Sequence, residues 1–406
     1  MHKKKRGQVT VYIIIGIAIL FVAILFFYLR GTTEKKISVQ ELVIAQKIPK
    51  EARPITNYVT TNLDDATKKG LLLIGMQGGY IYESQGGPIS DPIKEGSDFV
   101  YYNKHKIFYN IHKQNNNLFN YYFYKPPYYP WYYYPYSHLP KSGEKGSFGG
   151  FFGTSNLPPL NGSSPSIQFQ LMEFITNYLQ EKINLTIFDE QGFEIDADIN
   201  NINVSVIIGE NDVIAFLECP LGIKKTITNT ITNVSYFYTN PQIRLKKVYN
   251  LTNFIISKDT TDILFNINSS ENNKDNINIE KIENYYNHDD IIIIRDNKSM
   301  LYAEPYTFQF ARENRYPALH YLDIPMLPFE GYSNAVITED NINPEADDPD
   351  EDVIDFTYEP NLPYHITQSD FDVGYVDLIV YAKEKDNEDY SDWQELKINV
   401  TRESEY

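Results

Sequence analysis

Hydrophobic residues fall along this chain in several distinct patterns, and each predicts a different element. From Val9 to Leu29 an apolar run without a charged residue is bracketed by Lys3, Lys4, Lys5 and Arg6 on one side and Arg30 on the other. It is apolar on every helical face. At ~1.5 Å per residue it is long enough to cross a hydrocarbon core of ~30 Å. It is too long for the core of a signal peptide, and no small-x-small cleavage site follows it. The lysine excess before the run places residues 1–8 in the cytoplasm, residues 9–29 in lipid and the bulk of the chain outside. The expectation is a single-pass protein of the cell membrane.

Further along, the apolar positions recur at three-to-four spacing. Ile55, Val59, Leu63 and Ala66 follow Pro54 and predict a helix to about Gly70, so residues 31–79 read as a stalk and helix. Ile167, Leu171, Ile175, Tyr178, Leu179 and Ile183 predict a second helix from Ser166, and Ile243, Val248, Leu251 and Ile255 a third over about Pro241–Ile256. Between and after these the period drops to two. Strands are expected at 193–199, 202–208, 213–218, 223–228, 291–295 and 306–311, with Glu210-Asn211-Asp212 as a hairpin turn. Residues 80–316 therefore read as an α+β domain with an antiparallel sheet. Alternation along Tyr375–Ala382 and Leu396–Val400 predicts a separate all-β module over 318–400.

One stretch breaks all of these periods. Residues 80–165 are rich in Gly, Pro, Tyr and Asn, and the run 121–136 is almost wholly Tyr and Pro. Repeated proline forbids a helix and disfavours a central strand, so the run is expected as an extended loop or edge segment. Tyr128, Tyr129, Trp131, Tyr132, Tyr133 and Tyr134 form a candidate binding surface, for stacking on sugars or peptides or for self-association; the alternative is that the rings cover a flank of their own domain.

Charge and composition narrow the function. The 406 residues carry a net charge of −18, which repels phosphate backbones, and no nucleic-acid partner is expected. The lone cysteine, Cys219, has no partner for an internal disulfide and ends an apolar run, as a buried small hydrophobe does. The sequence has no Gly-x-Ser-x-Gly elbow, Walker loop, His-Glu-x-x-His or Cys-x-x-Cys, and the histidines lack ligand spacing. Paired acids at Asp196 and Asp198, or at Asp289 and Asp290, keep an anchored hydrolase as an alternative. Asn161, Asn184, Asn203, Asn233, Asn250, Asn268, Asn297 and Asn399 each begin an Asn-x-Ser/Thr sequon, as suits an exported surface protein.

Three resemblances add to this reading. The start Lys-Arg-Gly-Gln with its apolar helix, Gln77-Gly78-Gly79-Tyr80-Ile81-Tyr82, the Tyr/Pro run, Cys219-Pro220-Leu221 and Arg244-Leu245-Lys246-Lys247-Val248-Tyr249-Asn250 look like uncharacterised single-pass exported proteins of small-genome archaea, over residues 1–310. That likeness implies an anchored extracytoplasmic protein and no particular activity. Arg6-Gly7-Gln8 before the apolar run resembles the cleavage region of type IV prepilins, although Tyr12 stands near the place of their usual Glu. This keeps a pilin-like filament subunit as an alternative.

The third resemblance lies at the C-terminus. Asp348-Pro349-Asp350-Glu351-Asp352 is similar to the Asp-Pro-Asp-Gly-Asp turn of cadherin- and dystroglycan-type immunoglobulin-like sandwiches, with Glu351 in place of glycine, and Asp372-Val373-Gly374 opens a strand as theirs does. The alternating Asp348, Asp350 and Asp352, with Glu384 where that family has an Asp after the strand, form a candidate Ca²⁺ site of hard oxygen donors. The combined expectation is a surface protein that binds, adheres or supports, with a surface protein or glycan as partner and no catalysis.

Overall fold

The structure, a computed structural model, describes residues 48–113, 153–320, 322, 327–329, 335–385 and 387–402. The apolar run 9–29 and the tyrosine surface at 128–134 lie outside the described residues. Among the described residues no helix is long and apolar enough to cross a membrane. What is described is mostly β-sheet, sandwich-like, with few helices. The chain divides into two compact units. Of the described residues, the smaller comprises 48–61, 183–203 and 216–238; the larger comprises those within 62–182, 204–215 and 239–402.

In the smaller unit, strand Phe193–Ala197 pairs antiparallel with the C-terminal part of strand Val213–Lys225, from Ala197 opposite Leu221 to Phe193 opposite Lys225. Sequence alternation predicts two strands here with a break at Cys219-Pro220, but the strand runs straight through. That pairing stops at Leu221, so Pro220, which has no N–H to donate, stands just past its end. Phe193, Leu217, Cys219, Leu221, Ile223, Val234 and Phe237 are buried here.

The larger unit carries the site, and its first part is a mixed sheet. In order across that sheet run Phe99–Tyr102, His105–His112, Glu304–Arg312, Asp289–Leu301 and Ile277–Tyr286. The neighbours are antiparallel except Glu304–Arg312 and His105–His112, which run parallel. Ile291, Ile292, Ile293 and Ile294 are all buried. Successive side chains on a strand point to opposite faces, so this strand is covered on both, and an unbroken apolar run results.

Two expectations of local structure change here. Strands Phe99–Tyr102 and His105–His112 lie inside the Gly-, Pro-, Tyr- and Asn-rich stretch, where no strand is expected; they meet at Asn103-Lys104, both left-handed, the backbone of a two-residue hairpin turn. The first helix runs Arg53–Met76, past its expected end at Gly70. A Cβ on Gly70 would come 2.9 Å from Leu171, and one on Gly75 only 2.2 Å from the Thr307 carbonyl oxygen. These glycines permit close packing rather than stopping the helix. The other helices, Ile167–Lys182 and Leu245–Asp259, sit close to their expected places.

The second part of the larger unit is the C-terminal β module. Its main sheet orders Leu327–Phe329, Asn387–Arg402, Tyr375–Glu384 and Ile354–Glu359, and two small two-stranded sheets accompany it. Val376, Leu378, Val380 and Ala382 point inward and join Ile337, Leu396, Ile398 and Val400 in one core. The period-two phase continues one step to Glu384, which places a carboxylate on the inward side.

Candidate metal centre

Five pieces of chain bring the acidic residues of the larger unit together. Helix Leu245–Asp259 ends on Asp259, and the strand Asp289–Leu301 of the mixed sheet begins with Asp289 and Asp290. Arg312 faces Asp290 across the strand pair. The segment leaving that strand supplies Asn314 and Arg315. The turn Asp348–Asp352 and the strand end at Glu384 come from the β module.

The two arginines form the core of this assembly. Arg315 is fully buried. Its guanidinium donates to Asp350 Oδ1 at 2.7 Å and to the Pro349 carbonyl at 2.8 Å, while its backbone N–H donates to Asp350 Oδ2 at 2.8 Å. Another nitrogen of the same group pairs with Asp259 at 3.0 Å. Arg312, equally buried, pairs with Asp259 at 2.9 Å, with Asp350 at 3.1 Å and with Asp290. Burial alone would raise the Asp350 carboxyl, but Arg315 and Arg312 outweigh it and hold the group below its ordinary value. Asp350 is thus committed to the arginines.

The other three carboxylates of the expected quartet stand differently. None of Asp348, Asp352 and Glu384 forms an ion pair among the described residues. Asp348 accepts two backbone N–H groups on Oδ1, from Asp350 at 2.7 Å and from Asp352 at 3.1 Å, and its Oδ2 is buried without a partner. Glu384 is 2% exposed. Its Oε2 accepts from Asn314 Nδ2 at 2.8 Å and Asn387 Nδ2 at 3.1 Å, and its Oε1 is buried without a partner. Loss of water, aggravated by the neighbouring acids, pushes Asp348 up to about 8, Glu384 to about 9 and Asp352 to about 6.

Donor atoms of Asp352, Glu384 and His288 all lie within 4.8 Å of one another. His288 belongs to the two-residue turn between Ile277–Tyr286 and Asp289–Leu301, where Asn287 and His288 both have left-handed backbone, φ 48 and 69. No sequence spacing points to it, because its partners lie far along the chain. Glu351, at the place of the resembled family's glycine, also has a left-handed φ of 69, and Lys281 Nζ meets its carboxylate at 2.8 Å. The residues present therefore suit a dication: buried, unpartnered carboxyl oxygens, a convergent imidazole and more carboxyl groups than cationic side chains around them.

The acid pairs that keep a hydrolase open lie in different surroundings. Asp289 and Asp290 are buried: Asp289 accepts from Tyr109 and from the Asn314 N–H, and Asp290 is bound to Arg312. Asp196 and Asp198 are exposed in the smaller unit and line an open hollow of about 510 Å³ with Asn201, Asn233 and Gly222. Cys219 is buried as expected, and burial pushes its thiol up to about 11, away from the reactive thiolate. Comparison with known proteins gives no match to a family model, to a curated protein or to a solved structure.

Proposed function

We propose that this chain is a membrane-anchored surface protein with a binding or structural role, in which an immunoglobulin-like module is clamped to an α+β base through buried ions. The observation that carries the reading is the knot of Arg312 and Arg315 with Asp259, Asp290 and Asp350. It ties the turn of the module to the helix and sheet of the base, so the two parts of the larger unit are held in fixed register. A divalent cation beside the knot, at Asp348, Asp352 and Glu384, supplies the positive charge that the two guanidiniums leave short. Such a clamp has its use where a binding module must stay oriented under load. The lysine-flanked run 9–29 supports display outside the cytoplasm.

Protease added to intact cells tests this, with and without a chelator. The expected result is loss of the acidic bulk in intact cells, faster once the chelator removes the cation. Protection in intact cells with loss only in opened ones overturns the surface placement; digestion at one rate with and without chelator overturns the clamp's cation.

A further inference from the structure

We infer that the dication of this site is a first-row transition metal of the Zn²⁺ class, bound through the His288 imidazole together with Asp352 and Glu384, rather than Ca²⁺. The inference rests on the cation reading above and names its ligand.

Three observations carry it. First, an imidazole nitrogen is among the converging donors. Ca²⁺ is a hard ion that takes six to eight oxygens, whereas imidazole mixed with carboxylate suits Zn²⁺ and its neighbours in the first row. Second, Glu384 is pre-aimed: both amides that touch it, Asn314 and Asn387, donate to Oε2 and leave Oε1 as its free donor. Hydrogen-bonded orientation of one carboxylate oxygen is the outer-sphere support that ligating carboxylates have. Third, Asp348 Oδ2 is a further buried oxygen without a partner in the same acidic turn, oriented by two backbone N–H groups on its other oxygen. Asp350, which an all-oxygen site built on the alternating aspartates would use, is instead bound by Arg315. A small set of donors that includes one nitrogen fits a low-coordination transition ion and falls short of a calcium shell.

The test is calorimetric titration of the full chain in detergent, stripped of metal, with Zn²⁺ and then with Ca²⁺. Two variants accompany it: His288→Asn, because Asn tolerates the left-handed turn and removes the imidazole, and Glu384→Gln, which keeps the shape and the amide contacts. The expected result is one Zn²⁺ per chain, not displaced by millimolar Ca²⁺, with affinity reduced at least about tenfold in each variant, the size of loss that even outer-sphere substitutions produce. Zn²⁺ binding by His288→Asn at wild-type affinity, or displacement of Zn²⁺ by Ca²⁺ at like concentration, overturns the ligand class and leaves a cation clamp standing. Binding of neither ion overturns both.

Discussion

Two acidic places in this molecule look alike in sequence and behave in opposite ways. Asp196 and Asp198 alternate on a strand and its exit; Asp348, Asp350 and Asp352 alternate through a turn. The first pair is exposed, and Asp198 merely accepts from the Asn200 N–H at 3.2 Å. The second set is largely taken out of water, its Asp350 is held by two buried guanidiniums, and its protonation is displaced in both directions. Alternating aspartates acquire chemistry only where the fold removes their solvent. An exposed ion pair is worth ~0–1 kcal/mol, whereas a buried one becomes costly when one member is lost.

The strongest way to break the contrast is Arg315→Met. Removal of that guanidinium leaves Asp350 and Asp259 facing each other with Arg312 alone. The expected loss is about 3–5 kcal/mol, the cost of an uncompensated buried charge, read by chemical denaturation. Adding Asp350→Asn to the same chain should recover part of it. Equal loss in the single and double variants would show that packing, not charge, sets the cost.

A smaller effect is expected from Gly75→Ala in the first helix. Its new methyl would meet the Thr307 carbonyl oxygen at 2.2 Å, and that partner is backbone. Helix propensity favours alanine by roughly 1 kcal/mol, but overpacking costs typically ~1–3 kcal/mol. Net destabilisation is expected, and a higher melting temperature in the variant would refute the close approach.

That glycine also shows where the sequence is legible and where it is not. Local pattern located the helices and the strands with clean alternation, because burial of one face is written in the spacing itself. It misplaced the end of the first helix because Gly70 and Gly75 are there for contacts with Leu171 and Thr307, which spacing along one helix cannot reveal. It missed Phe99–Tyr102 and His105–His112 because their hairpin turn is Asn103-Lys104 rather than a glycine pair. At the site, Asp348, Asp352 and Glu384 stand out in the sequence only through the resemblance to cadherin-type turns; the inward phase of Glu384 comes from the structure. His288, Asn314 and Arg315 do not stand out, since each gains its meaning from residues brought in from far along the chain. Asp350 looked like a ligand and is a counter-ion, for the same reason.

The pH dependence sharpens the comparison at intermediate size. Asp289 is raised from 3.8 to about 7, chiefly by burial, against the hydrogen bonds from Tyr109 and Asn314 that lower it. A carboxyl whose folded value lies above its unfolded one binds the extra proton in the folded state. Its stabilisation is full below about 3.8 and is lost as pH rises towards 7. Asp289→Asn should therefore flatten stability over that window, by on the order of 2 kcal/mol, in denaturation series at pH 4 and pH 7. An unchanged slope would mean that Asp289 is solvated.

The least effect belongs to the exposed pair. Asp196→Asn and Asp198→Asn remove charges that water already screens, and neither residue forms an ion pair among the described residues. Both changes should fall within about ±0.5 kcal/mol, with no dependence on added Zn²⁺ or chelator. A metal-dependent shift in the melting temperature that Asp196→Asn abolishes would mean that the open hollow of the smaller unit also gathers a cation. Solvent exclusion would then no longer be what separates the two acidic places.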